Sequence, residues 1–139
     1  LGQGVCIKHG SQVAVLSIGA IGNTVIDAIN SMGIDKKNLF AHYDMRWLKP
    51  LDELILEEVA EHFHTIVTVE DGVINGGLGS AVAEYMSGIG DRESGIGKRV
   101  IRLGVNDQFV EHGSTKELYQ LLKLDKEGIC ESLLQALEQ

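Results

Sequence analysis

The run Thr65-Ile66-Val67-Thr68-Val69-Glu70-Asp71-Gly72-Val73-Ile74-Asn75-Gly76-Gly77-Leu78-Gly79-Ser80-Ala81 passes from strand to loop to helix within one short span. Thr65 to Val69 is β-branched throughout, the composition of a strand packed on both faces. Glu70 and Asp71 end it. Gly72, Gly76, Gly77 and Gly79 then supply a backbone that can turn sharply, and the pattern becomes helical from Ser80. This predicts the working edge of an α/β sheet. Ligands and partner surfaces gather outside the carboxyl ends of such strands, where helix N-termini present unpaired N–H groups.

Outward from this run, strands and helices alternate. Val13 to Ile18 is a nearly continuous apolar strand, with Gly19 to Asn23 as the turn after it. A helix is expected from Thr24 to about Met32, with Val25, Ile26, Ala28, Ile29 and Met32 inward and Gly33 as its left-handed C-cap. Leu39 to Met45 returns to strand. Asp52 caps the next helix, Leu51 and Leu56 are spaced as a hydrophobic staple, and Leu56, Val59, Ala60 and Phe63 form the stripe. Val82, Ala83 and Met86 belong to a short helix before the glycine-rich span from Gly88 to Lys98. Val100 to Leu103 is a strand, and Val105 to Gly113 an extended connection at the same edge. Ser114-Thr115-Lys116-Glu117 fits a capping box for a helix with Leu118, Leu121 and Leu122 inward. Asp125 caps the last helix, whose stripe is Ile129, Leu133, Ala136 and Leu137. Residues 1–12 are expected to be a linker or edge strand, and residues 13–139 one domain. The expected fold class is an α/β three-layer sandwich with a mostly parallel, mixed sheet of about five strands.

With 139 residues, 44% hydrophobic content and a mean hydropathy of +0.05, the chain suits one core. The net charge of −8 and pI near 5.0, without a basic cluster, argue against nucleic acid as a partner. No apolar run reaches the roughly 20 residues of a membrane span, and the first residues lack signal-peptide character. A soluble, cytoplasmic protein is expected. Cys6 and Cys130 stand at opposite ends and are read as reduced thiols. The opening, without Met, reads as a linker inside a longer polypeptide.

The glycine cluster Gly76-Gly77-Leu78-Gly79-Ser80 could hold an anion at a helix N-terminus. It departs from G-x-G-x-x-G, because Val82 takes the third glycine's place, and no lysine follows it as in a Walker A loop. A turn that lets helix and strand pack closely is the preferred reading. Glu70 and Asp71 are neighbours in an extended chain and point to opposite faces, so they do not form an acid/base dyad. His112, at the same edge, is read as a loop histidine bonded to backbone in preference to a proton carrier or phosphate contact. His62 and His64 sit at a helix end, with no metal expected. Arg46, Asp44 and Asp52, around Pro50, are expected to fix the loop after their strand through ion pairs. Ile74, Leu78, Phe109 and Val110 lack an evident partner within the chain, which marks the edge of Glu70, Asp71, Gly76, Gly77, Gly79, Ser80, Phe109 and His112 as a candidate interface or anion site.

Several of these segments, taken in order, resemble the C-terminal domain of the transketolase family. They are Asp44-Met45-Arg46, Lys49-Pro50-Leu51-Asp52, Thr68-Val69-Glu70-Asp71-Gly72, Gly76-Gly77-x-Gly79-Ser80-Ala81, Arg102-Leu103-Gly104, Asp107-x-Phe109 and Glu111-His112-Gly113. The resemblance runs from about Gly2 to Leu137. The Glu111-His112-Gly113 segment is most similar to the deoxyxylulose-5-phosphate synthases within that family. Transketolase proper, the β subunits of 2-oxoacid dehydrogenases and a stand-alone small-anion-binding module are the alternatives. Asn106 stands where a proline is usual and Trp47 where a phenylalanine is usual. The resemblance implies a transferase that condenses pyruvate with glyceraldehyde 3-phosphate, with loss of CO2, at the head of isoprenoid biosynthesis. It implies thiamine diphosphate and Mg2+ held by upstream diphosphate- and pyrimidine-binding domains, and none held by this chain. No catalytic, cofactor-binding or metal-binding residue is therefore expected here. Isolated, the chain is expected to be inactive, its part being to buttress the pyrimidine domain and build a homodimer.

Overall fold

A computed structural model describes residues 2–73, 77–89, 97–105 and 115–138. In chain order the strands are β1 (Val5–Lys8), β2 (Val13–Ile18), β3 (Phe40–Asp44), β4 (Thr65–Val73) and β5 (Arg99–Val105). The helices are α1 (Ile21–Asn30), α2 (Ile34–Lys37), α3 (Glu53–His62), α4 (Leu78–Ser87), α5 (Thr115–Leu121) and α6 (Lys126–Ala136). The strands form one sheet in the order β1-β3-β2-β4-β5, parallel except for β1, which runs antiparallel along β3. The mixed α/β sandwich expected from the sequence is the fold observed.

Alternation along the inner strands builds two cores. Val13 and Val15 of β2, Phe40 of β3, and Val67 and Val69 of β4 face α1 and α6 and bury Val25, Ile29, Ile129 and Leu133. Ala14 and Leu16 of β2, Ala41 and Tyr43 of β3, and Ile66 of β4 face α3 and α4, against Leu56, Val59, Val82 and Met86. A period of two within strands laid side by side makes this division unavoidable.

Local chemistry sets the ends of the elements. Asp52 accepts the N–H groups of Leu54 at 3.0 Å and Ile55 at 3.2 Å, and Asp125 accepts that of Gly128 at 2.9 Å, so both helices begin at an aspartate cap. α1 begins at Ile21, earlier than the expected Thr24, because Gly19 alone makes the turn at φ +86. Its other end also differs. Ser31 is the C-cap, its hydroxyl donating to the Ala28 carbonyl at 2.7 Å. Gly33 is not left-handed: at φ −62 and ψ 157 it is the N-cap of α2, a turn the apolar spacing did not reveal. Leu122 packs on the core as expected, but Leu121, also expected inward, is 62% exposed, and Tyr119 packs on the core in its place. Ser114 of the expected capping box lies outside the described residues.

The strand order also locates the edge where ligands gather in such folds. The chain leaves β2 for β3 on one side, returns past β2 to β4, and continues outward to β5. The carboxyl ends of β2 and β4 are therefore neighbours at a switch in direction. Gly19 meets Asp71 there, a Cβ on Gly19 falling 3.7 Å from the Asp71 carboxylate.

Candidate functional site

β4 carries Ile66, Thr68 and Glu70 on the face that α3 and α4 cover, and α4 begins just beyond the following loop. Gly77, its N-cap, has no side chain with which to satisfy the first free amides of the helix. Glu70 does so from the preceding strand. One carboxylate oxygen accepts the Leu78 N–H at 2.9 Å and the other accepts the Gly79 N–H at 2.7 Å, in a setting where Glu70 is 4% exposed. The helix N-terminus thus holds an anion, and the anion belongs to the chain itself. A phosphate or carboxylate ligand at these two amides would have to displace Glu70.

Gly79 is needed by this arrangement. A Cβ there would stand 2.8 Å from Cδ of Arg102 on β5 and 3.0 Å from the Thr68 hydroxyl oxygen. That hydroxyl is fully buried and has no hydrogen-bond partner. Asp71 points the opposite way and is exposed, as neighbouring residues of a strand must. Leu78, expected as part of an exposed patch, is fully buried in the core beneath α4, because the Glu70 contact draws the first turn of the helix inward. Gly76, Ile74, Phe109, Val110 and His112 lie outside the described residues, whereas Glu70, Gly77, Gly79 and Ser80 are brought together.

The loop after β3 is held differently from expectation. Asp44 accepts the backbone N–H of Arg46 at 3.0 Å, and Arg46 adopts φ 62. Asp52 accepts the Gly4 N–H at 2.8 Å as well as the two amides of α3. No ion pair joins Arg46 to Asp44 or Asp52; among the described residues Lys123 and Glu131 form the one ion pair, at 3.2 Å. Backbone amides close at hand outcompete a flexible guanidinium that solvent keeps hydrated. Lys49–Pro50 is a cis peptide, and Trp47 is 42% exposed beside it.

Sequence reasoning passed over one buried polar pair. Ser17 of β2 and His42 of β3, on neighbouring strands and the α1 side of the sheet, are 0% and 1% exposed, with Ser17 Oγ 2.7 Å from His42 Nε2. Burial lowers the His42 pKa from 6.5 to about 4, only partly opposed by the charge of Asp44. Its Nδ1 has no partner. The available signal was the parity of the strands: Ser17 follows Val13 and Val15, and His42 follows Phe40, so both sit among inward residues of one face.

A broad groove of about 420 Å3 lies on the opposite side, lined by His9, Tyr43, Glu58 and His62 among others. Burial and a hydrogen bond to Glu58 hold the Tyr43 phenol well above its usual range. Among the described residues no group of three or more His, Cys, Asp or Glu side chains is placed to hold a metal ion, and no helix is long and apolar enough to cross a membrane.

Comparison with known proteins adds the family. Residues 2–129 match the family described as "Transketolase, C-terminal domain". The chain is 48% identical over 133 residues to a protein of Parabacteroides distasonis named 1-deoxy-D-xylulose-5-phosphate synthase, covering 96% of this chain and 20% of that one. It is 46% identical over 138 residues to a protein of the same name from Bacteroides thetaiotaomicron, covering 99% of this chain and 21% of that one. The chain therefore spans about a fifth of the length of the curated relatives it matches. A solved structure titled "Split gene transketolase, inactive beta4 tetramer" superposes with a TM-score of 0.80 at 30% identity, over 98% of this chain and 42% of that one.

Proposed function

The chain belongs to the transketolase C-terminal domain family, and we propose that it is the C-terminal structural and dimerisation domain of a 1-deoxy-D-xylulose-5-phosphate synthase. That enzyme condenses pyruvate with glyceraldehyde 3-phosphate and releases CO2, in the cytoplasm and at the head of isoprenoid biosynthesis. The observation that carries the reading is the similarity, at 48% and 46% identity and over nearly the whole chain, to about a fifth of each of two proteins that bear this name.

Thiamine diphosphate and Mg2+ are the cofactors of such an enzyme, and the described residues are a poor fit to them. A diphosphate needs free backbone amides or cations, and the two amides that the glycine-rich turn presents at α4 are taken by Glu70. The metal would need a cluster of oxygen ligands, and none is gathered among the described residues. Upstream diphosphate- and pyrimidine-binding domains hold the cofactors in this reading, and no chemical step falls to this chain. The Glu70 contact rigidifies an edge against which another domain or a second copy can pack. The neighbouring solved structure, an inactive beta4 tetramer of a split-gene transketolase, is in keeping with a piece that assembles without catalysing.

A chimera tests this directly. With the C-terminal fifth of the Parabacteroides distasonis synthase replaced by this chain, turnover is expected within about tenfold of the parent, a change of about 1.4 kcal/mol in the barrier. The chain alone is expected to give no turnover and no calorimetric signal with thiamine diphosphate and Mg2+. A folded, dimeric chimera without activity, or binding of the cofactor by the isolated chain at about micromolar concentration, would overturn the reading.

A further inference from the structure

The unpartnered His42 Nδ1 lies in a part of the molecule that the proposed function does not use. His42 is 1% exposed, its Nε2 is taken by Ser17, and a polar atom left without a partner at such depth costs about 1–3 kcal/mol. Native proteins tolerate few such atoms, and each asks for an explanation.

His42 is also part of the wall of a cavity of about 270 Å3, together with Ile7, Lys8, Ile26, Ile29, Asn30 and Lys37. Ile29 and His42 are its buried part, Ile26, Lys8 and Lys37 are half-buried, and Ile7 and Asn30 are exposed, so apolar surface and a few polar groups line one small space, the usual make-up of a small-molecule site. No acidic residue lines it, although the chain carries a net charge of −8. The Lys8 ammonium is held in place by donating to the His9 carbonyl at 3.0 Å and the Phe40 carbonyl at 3.1 Å, which leaves one of its three protons for another acceptor. Burial and the nearby Lys37 charge both lower the Lys8 pKa, a strain that an incoming anion would relieve.

We propose that this cavity between β1, β3 and the C-terminal half of α1 binds a small organic monocarboxylate with a short apolar tail. The carboxylate sits against Lys8, Lys37 and Asn30, and the tail covers Ile26 and Ile29. When Ser17 donates to Nε2, the His42 ring carries its proton on Nδ1, so that a small shift of the ring supplies the carboxylate with a further donor. A phosphate suits the site less well, because it would lay a strongly hydrated dianion against the isoleucines. The proposal is independent of the assignment to a synthase.

The test is methyl-detected NMR of the full chain with three probes: 4-methylpentanoate, its uncharged amide, and inorganic phosphate. The acid is expected to produce saturable shifts at the Ile7, Ile26 and Ile29 methyls with a Kd of about 1 mM or below, and to bind at least about tenfold more tightly than the amide. Lys37→Glu, a change at a partly exposed lysine, is expected to weaken the acid about tenfold while leaving the remainder of the spectrum unchanged. Methyls that do not move with the acid up to about 10 mM would overturn the proposal and leave the cavity to solvent alone. So would equal binding of the amide, equal binding of phosphate, or a Lys37→Glu chain that binds the acid as well as the parent.

Discussion

Glu70→Gln is expected to lower the stability of the fold by about 3 kcal/mol and its melting midpoint by roughly 10 °C. Both carboxylate oxygens of Glu70 accept amides, from Leu78 and Gly79, at the buried start of α4. Glutamine keeps one acceptor and turns an NH2 group toward a backbone N–H, so one contact is lost and a repulsion between donors replaces it. The negative charge that complements the helix N-terminus also disappears. Asp71→Asn, one residue away but exposed, serves as control and is expected to shift stability by less than about 0.5 kcal/mol. Chemical denaturation of both variants checks this, and a Glu70→Gln chain that unfolds at the parent's midpoint would show that the two amides find another acceptor.

The second large effect comes from pH. The His42 pKa is lowered in the folded chain to about 4, from 6.5. Between these values the unfolded chain binds a proton that the folded chain refuses, so stability falls as pH drops from about 6.5 to about 4. It is unaffected by His42 above that window and below it. The contribution lost is roughly 3 kcal/mol. Many carboxylates titrate nearby, so the contribution must be isolated by difference. In the double variant Ser17→Ala/His42→Leu both members of the pair become apolar, which keeps the strands packed without an orphaned hydroxyl. Measured by urea denaturation from pH 7 to pH 4, the parent is expected to lose about 3 kcal/mol more than the double variant. Parallel pH profiles for the two chains would remove His42 from the account.

What could be read in the sequence was whatever depends on near neighbours. The apolar run from Val13 and the β-branched run from Thr65 announced buried strands, and Asp52 and Asp125 announced helix starts, because a cap bonds amides two or three residues away. The destination of the Glu70 side chain was not legible, since Leu78 and Gly79 lie eight and nine residues further along the chain, beyond the reach of a local pattern. The Ser17–His42 pair depends on strand register across a helical crossover, which no local pattern encodes. Gly33 misled for a related reason. A glycine after an apolar stripe fits a left-handed C-cap, but the serine hydroxyl at Ser31 had already closed the helix. Arg46 misled in the other direction, because opposite charges close in sequence suggest pairing that competing backbone amides prevent.

β1 is the one strand that arrives antiparallel, and its pairing with β3 is short and irregular, through Val5, Cys6 and Lys8. It nevertheless covers the outer edge of β3 at His42, Tyr43 and Asp44, and it places a lysine there, the kind of charge that discourages strand addition by other molecules. Few apolar contacts of the two cores depend on it. Proteolytic removal of the first twelve residues should therefore leave a chain that still folds but carries an open template along β3. Its signature would be concentration-dependent oligomers on size exclusion, with the circular dichroism of the remaining helices intact; a monomeric product would show that β3 needs no cover.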